Sequence, residues 1–150
     1  MKFSSFEEII EFAIKREEEA AHAYREMAGR TKSMGLKKLL QELQGDEENH
    51  KKLLQNLTEK KIESTKVKDI TDLKMSDYLV EEPLSAEMDF QDLLIFAAKK
   101  EQRAMELYSD LADKSKKKEL KKLFDFLAMQ EKSHKLKLET EYEKHVLWED

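Results

Sequence analysis

The sequence predicts an all-α protein, a bundle of four helices arranged as two hairpins. Of the 150 residues, only three are glycine and one is proline, so turn-forming residues are scarce. Charged residues make up 41% of the chain, with both signs mixed along it. Hydrophobic residues recur three and four positions apart through four long segments, which is the spacing of an amphipathic helix. We therefore expect a single helical domain over residues 1–150, long enough to enclose a substantial core.

The first hairpin is predicted over residues 5–62. Its first helix runs from about 6 to 31 and begins at a potential capping pair, Ser5 and Glu8. After a turn containing glycine and serine, its second helix runs from about 34 to 62.

A long crossover and a second hairpin follow. Residues 63–88 lose the helical period and contain the single proline, Pro83. A segment of this length can travel the length of the bundle, which permits the second and third helices to be parallel. The second hairpin is predicted over residues 89–146, with helices at about 90–114 and 116–145.

The two hairpins are repeats of one another. When the sequence is shifted by 84 residues, roughly a third of the aligned pairs are identical, more than shared helix composition explains. Duplication is the simplest account, and it allows a pseudo-twofold site between the hairpins. The aligned pairs that carry chemistry are Glu17 with Glu101, Tyr24 with Tyr108, Glu47 with Glu131, and His50 with His134.

Composition excludes several classes of function. The net charge of −5 argues against a nucleic-acid partner, which would need a basic face. No apolar run approaches the roughly 18 residues of a membrane span, and the N-terminus lacks the pattern of a signal peptide. Without cysteine, there are no disulfides, thiolate zinc sites, iron–sulfur clusters or thiol catalysis. We expect a cytoplasmic protein without nucleic-acid or membrane partners.

Each helix has an apolar seam that is interrupted by a carboxylate near its middle. A buried, unpaired carboxylate is very unfavourable, and four in one core repel one another. Two divalent cations would balance four carboxylates. The interruptions are Glu17, Glu47, Glu101 and Glu131, and His50 and His134 follow on the second and fourth seams.

The ligand types indicate the metal. Carboxylate oxygens and neutral imidazole nitrogens suit iron or manganese. One Glu from each of two helices, with Glu-x-x-His from each of the other two, is the pattern of di-metal carboxylate bundles. We predict a site for two iron ions, with manganese as an alternative. Its ligands are Glu17, Glu47, His50, Glu101, Glu131 and His134.

A Glu-x-x-His spacing by itself is weak evidence. Glu19 and His22 have the same spacing, but they lie about 140–200° around the first helix from Glu17, on its polar side. We therefore expect His22 at the surface, and His145 at the surface or in the C-terminal tail.

Tyr24 and Tyr108 follow the seam glutamates of the first and third helices by two turns. They are either core aromatics or hydroxyl donors that orient the ligand carboxylates, and their presence in both repeats favours the second interpretation. Four methionines are interpreted as core residues rather than ligands. They are Met27, Met34, Met105 and Met129.

These residues resemble the rubrerythrin branch of the ferritin-like di-iron carboxylate superfamily. The resemblance covers about residues 5–140 and implies a ferritin-like bundle with a long left-handed crossover between its second and third helices. It also implies that Glu47 and Glu131 bridge two irons and that the other four ligands are terminal. It rests on Glu17…Tyr24, Glu47-x-x-His50, Glu101…Tyr108 and Glu131-x-x-His134.

The resemblance implies an activity, the two-electron reduction of hydrogen peroxide to water. Rubrerythrin itself has a cysteine-containing rubredoxin domain, so electrons here would come from a separate donor such as a rubredoxin. It also has a further Glu where this chain has Ala104, whose counterpart is Ala20. The site is therefore closer to the symmetric six-ligand pattern. We expect the six ligands to be the catalytic residues of a homodimer or larger homo-oligomer that reduces peroxide or dioxygen.

Two other functions stay open on the sequence. The first is iron handling, by ferrous oxidation, storage or delivery, which a cage-forming assembly would support. The second is a protein-interaction bundle with a vestigial metal site. That second alternative predicts a protein without bound metal that loses no stability on Glu47→Ala.

Overall fold

The computed structural model describes residues 3, 5–59, 74–79 and 88–147. In these ranges the chain forms four long α-helices and a short 3₁₀ turn at Met75–Asp77, which confirms the predicted all-α four-helix architecture. The third helix has its predicted bounds, whereas the fourth begins and ends two residues later than predicted. The helices are α1 (Phe6–Arg30), α2 (Met34–Glu59), α3 (Phe90–Lys114) and α4 (Lys118–Leu147).

Side chains cap the first turns of α1 and α3. The hydroxyl of Ser5 accepts a hydrogen bond from the backbone N–H of Glu8 at 3.1 Å, as the capping pattern predicts. The carboxylate of Asp89 accepts one from the N–H of Asp92 at 2.8 Å. Each cap satisfies a backbone donor that has no partner inside the helix, which stabilises the helix by about 1 kcal/mol.

Reciprocal contacts show the directions of the helices. The hydroxyl of Tyr24 on α1 reaches Glu101 on α3, and Tyr108 further along α3 reaches back to Glu17, so α1 and α3 are antiparallel. Because a turn of three residues joins α1 to α2, these two are also antiparallel. Consequently α2 and α3 run in the same direction, as the long crossover permits. Most of the predicted crossover, residues 63–88, lies outside the described residues.

The core consists of two apolar clusters on either side of a polar layer. One cluster is built around Ile9, Leu111 and Phe124, and the other around Leu40 and Leu43. Together they close the central layer from both ends of the bundle. The interpretation of the methionines as core residues is wrong for two of the four, because the side chains of Met34 and Met129 are 80% and 72% exposed.

None of the described helices is both long enough and apolar enough to cross a membrane.

Candidate metal centre

The six side chains singled out in the sequence lie together in the central layer. The middle turns of all four helices face one another there, and each contributes one glutamate. The four glutamates are 0% exposed, and His50 and His134 are 2% and 1% exposed. The layer therefore concentrates four carboxyl groups and two imidazoles out of contact with water.

One group of potential ligands surrounds the ring of His50. Its Nδ1 lies 3.1 Å from Oε1 of Glu131, 3.3 Å from Oε1 of Glu47 and 3.6 Å from Oε2 of Glu17. These four residues place one ligand atom each within 4.8 Å of one another, close enough to hold a metal ion.

A second group surrounds the ring of His134. Its Nδ1 lies 3.1 Å from Oε1 of Glu47, 3.6 Å from Oε2 of Glu101 and 3.7 Å from Oε1 of Glu131. The ligand atoms of this group also lie within 4.8 Å of one another. Both groups contain Glu47 and Glu131, so the two potential metal positions share two carboxylates.

The donor atoms fit a metal centre. Within the described residues, Nδ1 of both histidines, one oxygen each of Glu17, Glu47 and Glu101, and both oxygens of Glu131 are buried without a hydrogen-bond partner. Buried polar atoms are rarely left unpaired, because burial costs them their hydrogen bonds to water. Oxygen and imidazole nitrogen ligands in this arrangement suit iron or manganese. The potential ligand atoms without a hydrogen bond are Glu17 Oε2, Glu47 Oε1, Glu101 Oε2, Glu131 Oε1 and Oε2, His50 Nδ1 and His134 Nδ1, and Nε of Arg16 is unpaired as well.

The two tyrosines bind the carboxylates of the opposite hairpin. Tyr24 donates a 2.5 Å hydrogen bond to Oε1 of Glu101, and Tyr108 donates a 2.6 Å hydrogen bond to Oε1 of Glu17. Burial raises the pKa of both phenols well above its usual range, and the adjacent carboxylates raise it further. The hydroxyls therefore remain protonated donors, and each holds in place one of the two glutamates that belong to a single group.

Each histidine is also held through Nε2 by the opposite hairpin. Nε2 of His134 lies 3.0 Å from Oδ2 of Asp46, and Nε2 of His50 lies 3.4 Å from Oε1 of Gln130. Because the partner atoms are a carboxylate oxygen and an amide oxygen, which accept, Nε2 is the donor in both pairs. We did not identify Asp46 and Gln130 from the sequence, although each directly precedes a seam glutamate and the two are repeat counterparts.

Arg16, which was not predicted as a site residue, places its guanidinium inside the glutamate cluster. Arg16 is 8% exposed, and its terminal nitrogens contact one oxygen of every glutamate in the layer. Burial alone would lower the pKa of Arg16, but the four carboxylates outweigh it and raise that pKa above its usual range. The cluster therefore contains a permanent positive charge. The only signal in the sequence was that Arg16 directly precedes Glu17. An arginine at that position of a helix can also point to solvent.

When no metal is bound, protons on the glutamates and histidines balance the negative charge that Arg16 leaves uncompensated. Burial, followed by repulsion from Glu47, raises the pKa of Glu17 to about 7, and burial likewise raises that of Glu131. Burial alone would lower the pKa of both imidazoles, but the carboxylates around them raise it to about 9 for His50 and about 10 for His134. Because metal ligands must be deprotonated, metal binding would release these protons.

His22 is separate from this cluster. Its side chain is 66% exposed and lies 3.5 Å from Glu26, one turn further along α1, at the surface where the sequence places it. The side chain of His145 lies outside the described residues.

Comparison with known proteins identifies the family. A family model described as rubrerythrin matches residues 8–142. The chain belongs to the rubrerythrin family. Members of this ferritin-like family bind two irons, and the resemblance in the sequence is thereby confirmed. Among curated proteins, none is significantly similar in sequence.

A solved structure supports the rubrerythrin-family fold. The chain is similar to a hypothetical protein from Pyrococcus furiosus, with 29% sequence identity and a TM-score of 0.78. The similarity covers 97% of this chain and 92% of that one. Ala104 and its repeat counterpart Ala20 are buried, one in each of the two apolar clusters.

Proposed function

We propose that this protein is a di-iron oxidoreductase that reduces hydrogen peroxide with electrons from a separate donor protein. One observation carries the proposal: two buried groups of glutamate and histidine atoms share Glu47 and Glu131 in the middle of a rubrerythrin-family bundle. Two sites that share carboxylates suit two iron ions whose combined charge changes by two units.

The proposed ligand assignment follows from the contacts. Glu47 and Glu131 would lie between the two irons, because they approach both histidines. Glu17 would serve the position beside His50, and Glu101 the position beside His134. Bound as a pair, the irons would supply the two electrons that peroxide reduction consumes.

The other residues would fix this geometry and limit access. Tyr24 and Tyr108 restrain the terminal carboxylates, while Asp46 and Gln130 orient the imidazoles. The apolar clusters above and below the layer exclude bulk water. A low-dielectric surrounding strengthens each of these charged contacts.

The test is to load the protein anaerobically with ferrous iron and mix it rapidly with peroxide or with dioxygen. We expect two irons per chain, one peroxide consumed for two irons oxidised, and faster oxidation by peroxide than by dioxygen. Glu47→Gln should remove iron binding, whereas Glu48→Gln, an exposed neighbour, should not.

Other outcomes would contradict the proposal in distinguishable ways. Faster oxidation by dioxygen, with ferric iron retained by the protein, would indicate iron oxidation or storage instead. Fewer than one bound iron per chain after reconstitution would contradict the metal centre itself. Light scattering would show whether the chain forms the homodimer we propose or a cage suited to storage.

A further inference from the structure

The position of Arg16 has a consequence for metal loading. Its Nη1 lies 3.0 Å from Oε1 of Glu17, 2.8 Å from Oε2 of Glu47 and 2.5 Å from Oε2 of Glu131. Its Nη2 lies 3.1 Å from Oε1 of Glu101. The guanidinium thus contacts one oxygen of all four carboxylates at once, with hydrogen bonds to those of Glu17, Glu47 and Glu101.

The oxygens that bind Arg16 are not those that face the histidines. Glu47 and Glu131 turn Oε2 to Arg16 and Oε1 to the imidazoles. A carboxylate that bridges two ions through its two oxygens needs both of them. While Arg16 stays in the cluster, each shared glutamate has only one oxygen available on the histidine side.

We propose that Arg16 is an internal counter-cation that occupies the glutamate cluster of the metal-free protein and withdraws when the second metal ion binds. The inference rests on the metal centre of the proposed function, but not on its reaction with peroxide.

Charge balance supports this exchange. Four carboxylates without metal need cations or protons nearby, and Arg16 supplies one permanent positive charge. Two divalent ions already balance four carboxylates, so a buried guanidinium beside them would be a surplus positive charge with no water to screen it. The same side chain that stabilises the empty site would therefore oppose its full occupation.

The bundle also offers Arg16 a place outside the cluster. Arg16 lines a surface pocket of about 380 Å³ that is also lined by three glutamates, Glu8, Glu11 and Glu19, and by Lys15. Its repeat counterpart, Lys100, lies in the same pocket with Nζ 3.7 Å from Glu19, and its side chain is 26% exposed. At equivalent positions of the two repeats, one cation thus points inward and the other outward.

The experiment compares the wild type with Arg16→Met, which keeps the length and apolar stem but removes the charge. Arg25→Met, the same substitution at an exposed position of α1 outside that pocket, is the matched control. Thermal unfolding in a chelator measures the metal-free protein, and calorimetric titration with Mn²⁺ measures the affinity and the number of ions bound.

We expect Arg16→Met to unfold at a lower temperature without metal and to bind the second Mn²⁺ more tightly, by roughly tenfold or more. Arg25→Met should change neither quantity. Arg16→Lys keeps a positive charge but cannot contact four carboxylates at once. If Arg16→Met fails to fold, Arg16→Lys should still show a smaller change of the same signs.

Equal Mn²⁺ affinity in the wild type and both Arg16 variants would overturn the inference while leaving the metal centre intact. Weaker Mn²⁺ binding in the variants would also overturn it, because it would make Arg16 a support of the metal site. Absence of Mn²⁺ binding in every variant would overturn both the inference and the metal centre.

Discussion

The carboxylate of Asp46 accepts a hydrogen bond from Nε2 of His134 at 3.0 Å, whereas the equivalent acceptor for His50 is the amide oxygen of Gln130 at 3.4 Å. The other marked difference between the hairpins around the site is Arg16, whose repeat counterpart Lys100 points outward. A carboxylate partner makes an imidazole a stronger metal ligand than an amide partner does. The two potential metal positions of the duplicated site are therefore unequal.

Exchanging these partners should shift metal affinity in opposite directions. We expect Asp46→Asn to weaken Mn²⁺ binding by about tenfold, at the lower end of the range for residues that support ligands. Gln130→Glu should strengthen binding at the His50 position. Calorimetric titration measures both effects. Asn49→Asp, which adds an exposed negative charge beside His50, is the control. Equal strengthening by Asn49→Asp would mean that net charge, not the partner of His50, sets the affinity.

Removing the phenolic hydroxyls should destabilise the metal-free protein. In Tyr108→Phe or Tyr24→Phe, a buried carboxylate loses its short hydrogen bond, which should cost about 1–3 kcal/mol of unfolding free energy. Urea unfolding in a chelator measures this loss. Tyr142→Phe, at a half-buried position near the end of α4, is the control. A loss of the same size in Tyr142→Phe would show that the carboxylate contact is not the cause.

Glu131→Gln should separate folding from metal binding. Burial already raises the pKa of Glu131, so a neutral amide resembles the protonated side chain that the metal-free fold prefers. We expect the metal-free melting temperature to stay the same or rise. At a metal concentration about 100 times Kd, metal binding should raise the free energy of unfolding of the wild type by about 2.7 kcal/mol. In the variant, most of this increase should be absent. Differential scanning calorimetry with and without Mn²⁺ measures the metal-free melting temperature and the stabilisation by metal. If the variant is stabilised by Mn²⁺ as much as the wild type, Glu131 is not a ligand.

The metal-free protein should lose stability as the solution becomes alkaline. The folded pKa of His50 is about 9 and that of His134 about 10, against about 6.5 for an unfolded histidine. The folded state binds these protons more tightly, so their contribution is complete below about pH 6.5 and disappears as the pH rises through 9 to 10. Melting temperatures from pH 6.5 to 10 in a chelator measure it. His22→Gln, at an exposed position, should leave the trend unchanged. A flat profile would contradict the proposed protonation of the cluster.

The fold could be predicted from the sequence because its signals are local and repeated. Apolar residues at helical spacing and a scarcity of glycine and proline leave few alternatives to a helical bundle. The seams of Glu47 and Glu131 point inward because a helix places residues three and four apart on one face. The predicted helix ends were less accurate. The start of α4 was misplaced by two residues because several lysines precede this helix without a strong capping residue.

The hydrogen-bond partners of the six potential ligands could not be predicted from local sequence patterns. The hydrogen bond of Tyr24 to Glu101 and that of His134 to Asp46 both cross between hairpins. Such pairings depend on the relative direction and register of α1 with α3 and of α2 with α4, which no local spacing encodes.

Helical periodicity and duplication alone are sufficient to place the four glutamates and two histidines on facing seams. The inward position of Arg16 required the packed bundle, because its repeat counterpart Lys100 occupies the same helical position and points outward. A long, flexible cationic side chain at the edge of a seam can reach either water or the core. The choice depends on how much negative charge the other three helices bring within its reach.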